Sequence, residues 1–86
     1  MDKPISFMPQ AWKDYLYWQT QDKKTLNRIN EPLKEIARHS FTGTGKPEPL
    51  KHNKAGYWSR RIDATNRIVY KVEDVAIIIF SCRHHY

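Results

Sequence analysis

The side chains suited to acid–base chemistry on a phosphodiester lie in the second half of this sequence. They comprise a carboxylate, several cations, two imidazoles and a phenol: Glu48, Lys51, Arg60, Arg61, Arg67, Arg83, His84, His85 and Tyr86. A ribose 2′-hydroxyl that attacks its own phosphodiester needs a base, cations for the charge gathering on phosphorus, and an acid for the leaving oxygen. These residue types suit that reaction, which requires neither a metal ion nor a water nucleophile.

The carboxylate of this set stands in a loop of unusual composition. Glu48 lies between Pro47 and Pro49, and Gly43 and Gly45 precede it. Prolines on both sides restrict the backbone, so this loop holds its carboxylate rigidly. The arrangement fits either an acid–base group or an ordinary surface ion pair. It does not fit a glycine-rich phosphate loop, because the third glycine position of that pattern is a glutamate.

The last twelve residues join an apolar run to titratable groups. Residues 77–80 read Ile-Ile-Ile-Phe, and residues 83–86, here called the tail, read Arg-His-His-Tyr. Chain termini fray unless a strand or helix ties them down. We therefore expect a buried strand to hold the tail in place because the tail has a function.

Metal and thiol chemistry are not indicated. His84 and His85 are adjacent and would point to opposite faces of a strand, and the Cys-x-x-Cys and His-Glu-x-x-His patterns are absent. Cys82 is the single cysteine and follows an apolar run, which is typical of a small buried hydrophobe. We expect no metal and no cofactor.

The first half of the chain is predicted to form a strand and two helices. Ile5–Met8 alternates as a strand does, and Pro9 is suited to begin a helix. In that helix Trp12, Tyr15, Leu16 and Gln19 are predicted to face the sheet, with Tyr17 and Trp18 widening the stripe, and Lys13 and Asp14 are predicted to lie on the other side. Asp22 is a candidate N-cap for a second helix that runs to about Ser40 and is kinked at Pro32. Its apolar stripe comprises Leu26, Ile29, Leu33 and Ile36.

The second half is predicted to be a loop followed by three antiparallel strands. Residues 41–50 read as loop, and the strands cover 57–62, 67–72 and 75 onward, joined by turns at 63–66 and 73–74. The predicted fold class is therefore α+β, with an N-terminal strand, a helical hairpin and an antiparallel meander in one sheet. The first strand is expected at an edge of the meander or beside the last strand.

Strand alternation places a condition on a shared site. Arg61 and Arg67 share a face only if the turn between their strands holds an odd number of residues or a bulge. Arg67 and His85 face together under the same condition at the second turn, where Glu73-Asp74 suggests an even count. We therefore predict a longer loop, a bulge or a bent tail there.

Size and charge limit the class of protein. The chain has 86 residues, with 15 Lys and Arg against nine Asp and Glu, and a formal net charge of +6. These values predict one domain over residues 1–86 and favour a polyanionic partner such as nucleic acid, an acidic protein or a membrane surface. The start lacks a signal-peptide pattern, and no apolar run is long enough to cross a membrane. We expect a cytoplasmic protein without a membrane partner.

Five stretches resemble a known family, the YoeB toxins of the RelE superfamily. They are Trp12–Gln19, Gly43–Asn53 with its Gly-Lys-Pro-Glu-Pro-Leu-Lys-His-Asn run, Gly56–Ile62, Arg67–Tyr70 and Cys82–Tyr86 with its final His-Tyr. The resemblance covers nearly the whole chain. It implies a RelE-like microbial RNase fold and a ribosome-dependent endoribonuclease that cleaves mRNA in the decoding site and so inhibits translation.

The resemblance also implies roles for individual residues. Glu48 would be the general base and His85 the general acid. Arg67 would be the main cation on the scissile phosphate, assisted by Lys51 and Arg61, and Tyr86 would stack on or position the base beside the cut. Two further cations, Arg60 and Arg83, are assigned to RNA or phosphate binding, with a structural role left open for Arg60. His84 is likewise either structural or an RNA contact.

The implied partners are a cognate acidic antitoxin similar to YefM, the ribosome with its mRNA, operator DNA only together with the antitoxin, and a second copy of the chain. For the homodimer contact, exposed aromatics such as Tyr17, Trp18 and Tyr57 are candidates. By the same resemblance the antitoxin would displace the tail. Two alternatives remain: a basic module that binds nucleic acid without cutting it, and a toxin of related fold that acts on a protein. A module that only binds has no use for a carboxylate braced by prolines together with a terminal histidine.

Overall fold

The apolar run near the end of the sequence forms a strand that is paired on both sides. In the computed structural model, which describes residues 2–43, 45–51 and 54–84, the elements in chain order are β1 (Ile5–Phe7), α1 (Pro9–Gln21), α2 (Lys23–Arg38), β2 (Glu48–Pro49), β3 (Tyr57–Arg61), β4 (Arg67–Val72) and β5 (Ile77–Ser81). The strands form one sheet in the order β1-β5-β4-β3-β2. The predicted α+β fold is confirmed, and β1 lies at an edge beside the last strand, as expected.

The pairing directions follow from the connections. β3, β4 and β5 are antiparallel neighbours, as predicted, whereas β1 runs parallel to β5 with Ser6 opposite Ile78. Parallel strands need a long crossover connection, and the two helices belong to the chain between β1 and β5. The helices bury one face of the sheet, because Ile29 and Ile36 of α2 join Ile77 and Ile79 of β5 in the core cluster.

The junction of the helices has a strong N-cap. The Asp22 carboxylate accepts hydrogen bonds from the Lys24 and Thr25 backbone N–H groups and from the Thr25 hydroxyl, which confirms the predicted cap. These bonds, that of the Thr25 hydroxyl first, hold the pKa of Asp22 below its ordinary value. The second helix continues through Pro32 and ends at Arg38, close to the predicted end.

The buried face of α1 differs from the predicted one. Trp12 and Leu16 are about half exposed, at 49% and 41%, whereas Ala11, Asp14 and Trp18 are buried. The prediction that Asp14 faces away from the sheet is therefore wrong, and so is the expectation that Trp18 is exposed for a homodimer contact. The buried carboxylate has a partner, because Asp14 Oδ2 accepts the Cys82 N–H at 3.0 Å. An apolar-spacing argument misses such a position because it assigns every charge to the solvent side.

Two further details differ from the sequence prediction. The predicted loop 41–50 contains the short strand β2, whose Glu48 lies opposite Ser59 and whose Pro49 lies opposite Trp58 at the sheet edge, a position that tolerates proline. The last strand begins at Ile77 rather than residue 75, because Glu73 N–H donates to Ala76 O and closes a four-residue link.

The last strand contains a β-bulge, one of the irregularities that strand alternation predicted. Tyr70 pairs with Ile79 but Val69 pairs with Ser81, so Phe80 is an additional residue in β5. One additional residue reverses the alternation in the rest of the strand, so Ser81 shares a face with Val69 and hence with Arg67. The predicted bulge is present, but it lies at the end of β5 away from the second turn, and the face of His85 stays a prediction.

Within the described ranges, no helix combines the length and apolar character needed to cross a membrane.

Candidate active site

The predicted base and the predicted main cation are in direct contact. Arg67 Nη1 lies 3.0 Å from Glu48 Oε1 and donates to Ser59 Oγ at 2.8 Å. The Arg67 side chain is 16% exposed and the Glu48 side chain 50%. The guanidinium is thus held by its surroundings while the carboxylate remains accessible to a ligand.

The sheet register brings these side chains together. Glu48 of β2 lies opposite Ser59 of β3, and Arg61 of β3 lies opposite Arg67 of β4. Directly paired residues share a face of the sheet, and so do residues two apart in one strand. All four side chains therefore project from the face opposite to the helices. Because β3 ends at Arg61 and β4 begins at Arg67, five residues connect the two strands, which is the odd count that the shared face required.

Of the two cations predicted to assist, Arg61 lies on the strand beside Arg67, and Lys51 lies beyond the end of β2. Arg61 is exposed and lies opposite Arg67, so a second guanidinium projects from the same end of the same face. Lys51 is exposed and follows β2 by two residues. Their contacts with phosphate stay predictions.

The assignment of Arg60 to RNA binding is wrong, and its structural alternative is correct. Arg60 has 0% exposure and lies on the helix-covered face. Its Nη2 donates to the carbonyl oxygens of His39 and Thr42, both at 2.6 Å, and its Nη1 lies 3.9 Å from Glu35 Oε1. A guanidinium without exposed surface and with these partners cannot reach a ligand on the open face. The signal was present in the alternation, since Arg60 has the same strand parity as Trp58 and Ile62.

Arg60 and Tyr70 together anchor the chain that leads from α2 toward Glu48. The Tyr70 hydroxyl accepts from Arg60 Nε at 3.3 Å and donates to Ser40 O at 2.7 Å. Burial raises the pKa of Tyr70 above its ordinary value, so the phenol keeps its proton.

Further along the chain, Gly45 adopts φ +80° and its carbonyl accepts the Arg61 N–H at 2.7 Å. A Cβ on Gly45 would meet the Arg61 carbonyl oxygen at 2.7 Å, so this close approach requires glycine.

The backbone of Cys82, just before the tail, is held by side chains of α1. Its N–H donates to Asp14 Oδ2 at 3.0 Å, and its carbonyl accepts from Trp18 Nε1 at 2.9 Å. Burial, with a smaller contribution from the Asp14 carboxylate, raises the pKa of the Cys82 thiol to about 12. The sulfur therefore remains a neutral packing group, and its neighbours hold the start of the tail.

The tail residues that the structure describes lie in two different environments. The Arg83 guanidinium lies 3.5 Å from the centre of the Tyr17 ring on α1, a cation–π contact that docks it on the helix. Its predicted contact with phosphate stays a prediction. His84 instead meets the start of β4: its carbonyl accepts the Arg67 N–H at 3.1 Å, and its N–H donates to Asn66 Oδ1 at 2.6 Å. His85 and Tyr86 lie outside the described residues.

Sequence reasoning missed three groups that position this site. Ser59 supports the Arg67 guanidinium, Asp14 holds Cys82, and Asn66 holds His84. Only Ser59 could have been found from the sequence, because it stands two residues before Arg61 in the same strand and therefore shares its face. In the part of the chain that the structure describes, no three His, Cys, Asp or Glu side chains are grouped so as to hold a metal ion.

Comparison with known proteins gives a consistent family. Residues 7–86 match the family model for the YoeB-like toxin of bacterial type II toxin–antitoxin systems. The chain is 55% identical over 82 residues to Toxin YoeB of Synechocystis sp., with 95% of each chain covered. It is similar to the structure of a YoeB dimer from Staphylococcus aureus, with 50% identity, a TM-score of 0.92 and full coverage of both chains. It is also similar to the toxin in a YoeB–YefM complex from that organism, at 49% identity, a TM-score of 0.89 and again full coverage of both chains.

Proposed function

Because this chain belongs to the YoeB-like toxin family of bacterial type II toxin–antitoxin systems, we propose that it is a ribosome-dependent endoribonuclease that cleaves mRNA in the decoding site and thereby inhibits translation. The observation that carries the proposal is the 3.0 Å contact between Arg67 Nη1 and Glu48 Oε1 on the open face of the sheet. A base and a phosphate-binding cation are thus held side by side where a single-stranded substrate can enter.

The proposed reaction is a metal-independent transesterification. Glu48 takes the proton of the ribose 2′-hydroxyl, the O2′–P bond forms, the P–O5′ bond breaks, and His85 gives a proton to O5′. Arg67 binds the oxygens of the scissile phosphate and stabilises the negative charge of the phosphorane, with Arg61 and Lys51 assisting. The products are a 2′,3′-cyclic phosphate and a 5′-hydroxyl.

The residues that accompany this reaction fit RNA as a substrate. A net charge of +6 favours association with ribosomal RNA and mRNA through their phosphates. We assign Tyr86 to stacking on, or positioning, the base beside the cut. The buried Arg60 is excluded from the RNA-contact set, in which Lys51, Arg61 and Arg83 remain.

The proposed partners follow from charge and from the related proteins. The structures from Staphylococcus aureus described as a YoeB dimer and a YoeB–YefM complex support a homodimer and an acidic, YefM-like antitoxin for this chain. We propose that operator DNA is bound only together with that antitoxin, and that the protein acts in the cytoplasm.

The reaction chemistry is tested with a synthetic mRNA programmed on ribosomes. Wild-type protein is expected to cut this mRNA on ribosomes and to leave it intact without them. A 2′-deoxy substitution at the nucleotide 5′ to the cut should abolish cleavage, since the nucleophile is then missing, while the same substitution one nucleotide upstream should not. Cleavage of the 2′-deoxy mRNA would show a water nucleophile and contradict the mechanism. Translation arrest without cleavage would favour the binding or protein-directed alternatives.

A further inference from the structure

The Asn66 side chain joins the turn between β3 and β4 to the tail. Asn66 is 8% exposed and immediately precedes β4. Its Nδ2 donates to both carboxylate oxygens of Asp63, at 3.1 Å each, and its Oδ1 accepts the His84 N–H at 2.6 Å. One buried amide thus links a turn to a segment 18 residues further along the chain.

The turn itself is closed without the Asn66 side chain. Asp63 Oδ1 accepts the backbone N–H groups of Thr65 and Asn66 at 2.8 and 2.7 Å, and the Asn66 carbonyl accepts the Ile62 N–H at 2.9 Å. The Asn66 amide oxygen is thus free to serve the tail, and the turn fixes where it points.

His84 is held in a conformation that needs such support. Its φ is +64°, a region that non-glycine residues rarely occupy. Backbone of this kind persists where the surrounding structure over-determines it. Here Asn66 Oδ1 takes the N–H of His84 and the Arg67 N–H donates to its carbonyl, so both polar groups of the residue are bonded at the start of β4.

From these contacts we infer that Asn66 is a positioning residue for the general acid. It fixes the backbone of His84, which immediately precedes His85 in the sequence, at the start of the strand that carries Arg67. Asn66 does not act on the substrate itself; it acts through the tail. This inference rests on the proposed function, because it takes His85 as the acid that protonates the leaving oxygen.

The inference is tested by a double-mutant cycle in the ribosome cleavage assay under single turnover. In the wild-type background Asn66→Ala is expected to lower the cleavage rate about tenfold, as one lost hydrogen bond does, with half-saturation by ribosomes unchanged. In the His85→Ala background, where the acid is already missing, it should cost less than about twofold. The exchange Asp63→Asn with Asn66→Asp restores an amide–carboxylate pair and keeps an acceptor for the His84 N–H, so it should recover most of the rate.

Asn30→Ala is the matched control, because it removes another inter-element asparagine bond, Tyr15 Oη to Asn30 Oδ1 at 2.7 Å, between the two helices. It should leave the cleavage rate unchanged. If Asn66→Ala does not fold, Asn66→Ser takes its place in the cycle. Equal losses from the Asn66 substitution in both backgrounds, or no loss in the wild-type background, would overturn the inference.

Amide hydrogen exchange separates this inference from the proposed function. Asn66→Ala should speed exchange of the His84 N–H about tenfold or more, with no comparable change in Asn30→Ala. An unchanged His84 rate would overturn the anchoring whatever the enzyme does. A wild-type protein that does not cut mRNA would instead overturn the proposed function, while faster exchange in Asn66→Ala would still establish the anchor.

Discussion

Arg67 and Glu48 form an ion pair that spans β3: the guanidinium starts on β4, bonds to Ser59 on β3 and reaches the carboxylate on β2, with Nη1 3.0 Å from Oε1. A planar guanidinium can serve several acceptors at fixed angles. The pair therefore holds the predicted cation in a fixed geometry beside the predicted base. The tail arrives at the same strand, since His84 O accepts the Arg67 N–H.

The geometry of that pair predicts that charge alone is insufficient at position 67. Arg67→Lys keeps the cation but not the planar fork of donors that suits the paired oxygens of a phosphate, so single-turnover cleavage on ribosomes should fall by about 10². Arg38→Lys is the control, since Arg38 Nε also meets a carboxylate, Asp2 Oδ2 at 3.3 Å, on an exposed surface. A lysine at position 67 that supports the wild-type rate would contradict the role of the guanidinium.

The burial of Arg60 predicts a loss of stability rather than of RNA affinity. Arg60→Met removes the donor to the Thr42 carbonyl, the shorter of the two hydrogen bonds to the His39 carbonyl and the cation beside Glu35, and should lower the free energy of unfolding by about 3 kcal/mol. Its exposed neighbour provides the control: Arg61→Met should change that free energy by about 0.5 kcal/mol or less. Urea unfolding followed by tryptophan fluorescence measures both, and similar effects of the two substitutions would contradict the structural role of Arg60.

The Asp63 carboxylate, in the turn before β4, is expected to contribute stability that is lost in acid. Burial alone would raise the pKa of Asp63, but hydrogen bonds from Thr65 and Asn66 outweigh it and lower the pKa below 3.8. A carboxyl whose pKa is lower in the folded than in the unfolded protein stabilises the fold at pH values above its unfolded pKa. This contribution is lost as the pH falls through the folded pKa. The stability advantage of wild type over Asp63→Asn should therefore be full at pH 7 and shrink below about pH 4. An advantage that stays constant down to about pH 2 would be inconsistent with this account.

The environment of Cys82 predicts an unreactive thiol. Its pKa of about 12 leaves almost no thiolate at pH 8, and the side chain is buried. Iodoacetamide at that pH should alkylate the native protein at least about 10²-fold more slowly than the urea-unfolded protein. Rapid alkylation of the folded protein would mean that the hydrogen bonds between the Cys82 backbone and the side chains of Asp14 and Trp18 open readily. In that case α1 would not hold the start of the tail.

The sequence was sufficient for the outline of the fold because the relevant patterns are local. The Leu26–Ile36 stripe and the Asp22 cap predict α2, and alternation predicts β3 and β4. Strand alternation also predicted a bulge or a longer turn between Arg67 and the tail, and the structure has a bulge at Phe80. The buried face of α1 was not predictable in this way, because Asp14 is buried for its bond to a residue 68 positions away.

The site was predictable only in part for the same reason. Glu48 and Arg67 follow from residue type and resemblance, but their contact depends on a two-residue strand that contains Pro49 and follows Pro47, and prolines argue against a central strand. Strand alternation places Arg60 on the covered face, but the carbonyl oxygens that bind its guanidinium follow the end of α2 and cannot be read from the strand that carries it. Asn66 reads as an ordinary turn residue until its bond to His84 is seen.

The central claim is that Glu48 acts as the base, and the most direct test is the single-turnover rate of mRNA cleavage on ribosomes by Glu48→Gln. Glu73→Gln is the matched control, since Glu73 is 48% exposed and also paired, its Oε1 lying 3.7 Å from Lys71 Nζ. A glutamine at position 48 should lower the rate by about 10² or more with ribosome binding intact, whereas Glu73→Gln should not. A wild-type rate in Glu48→Gln would contradict the account.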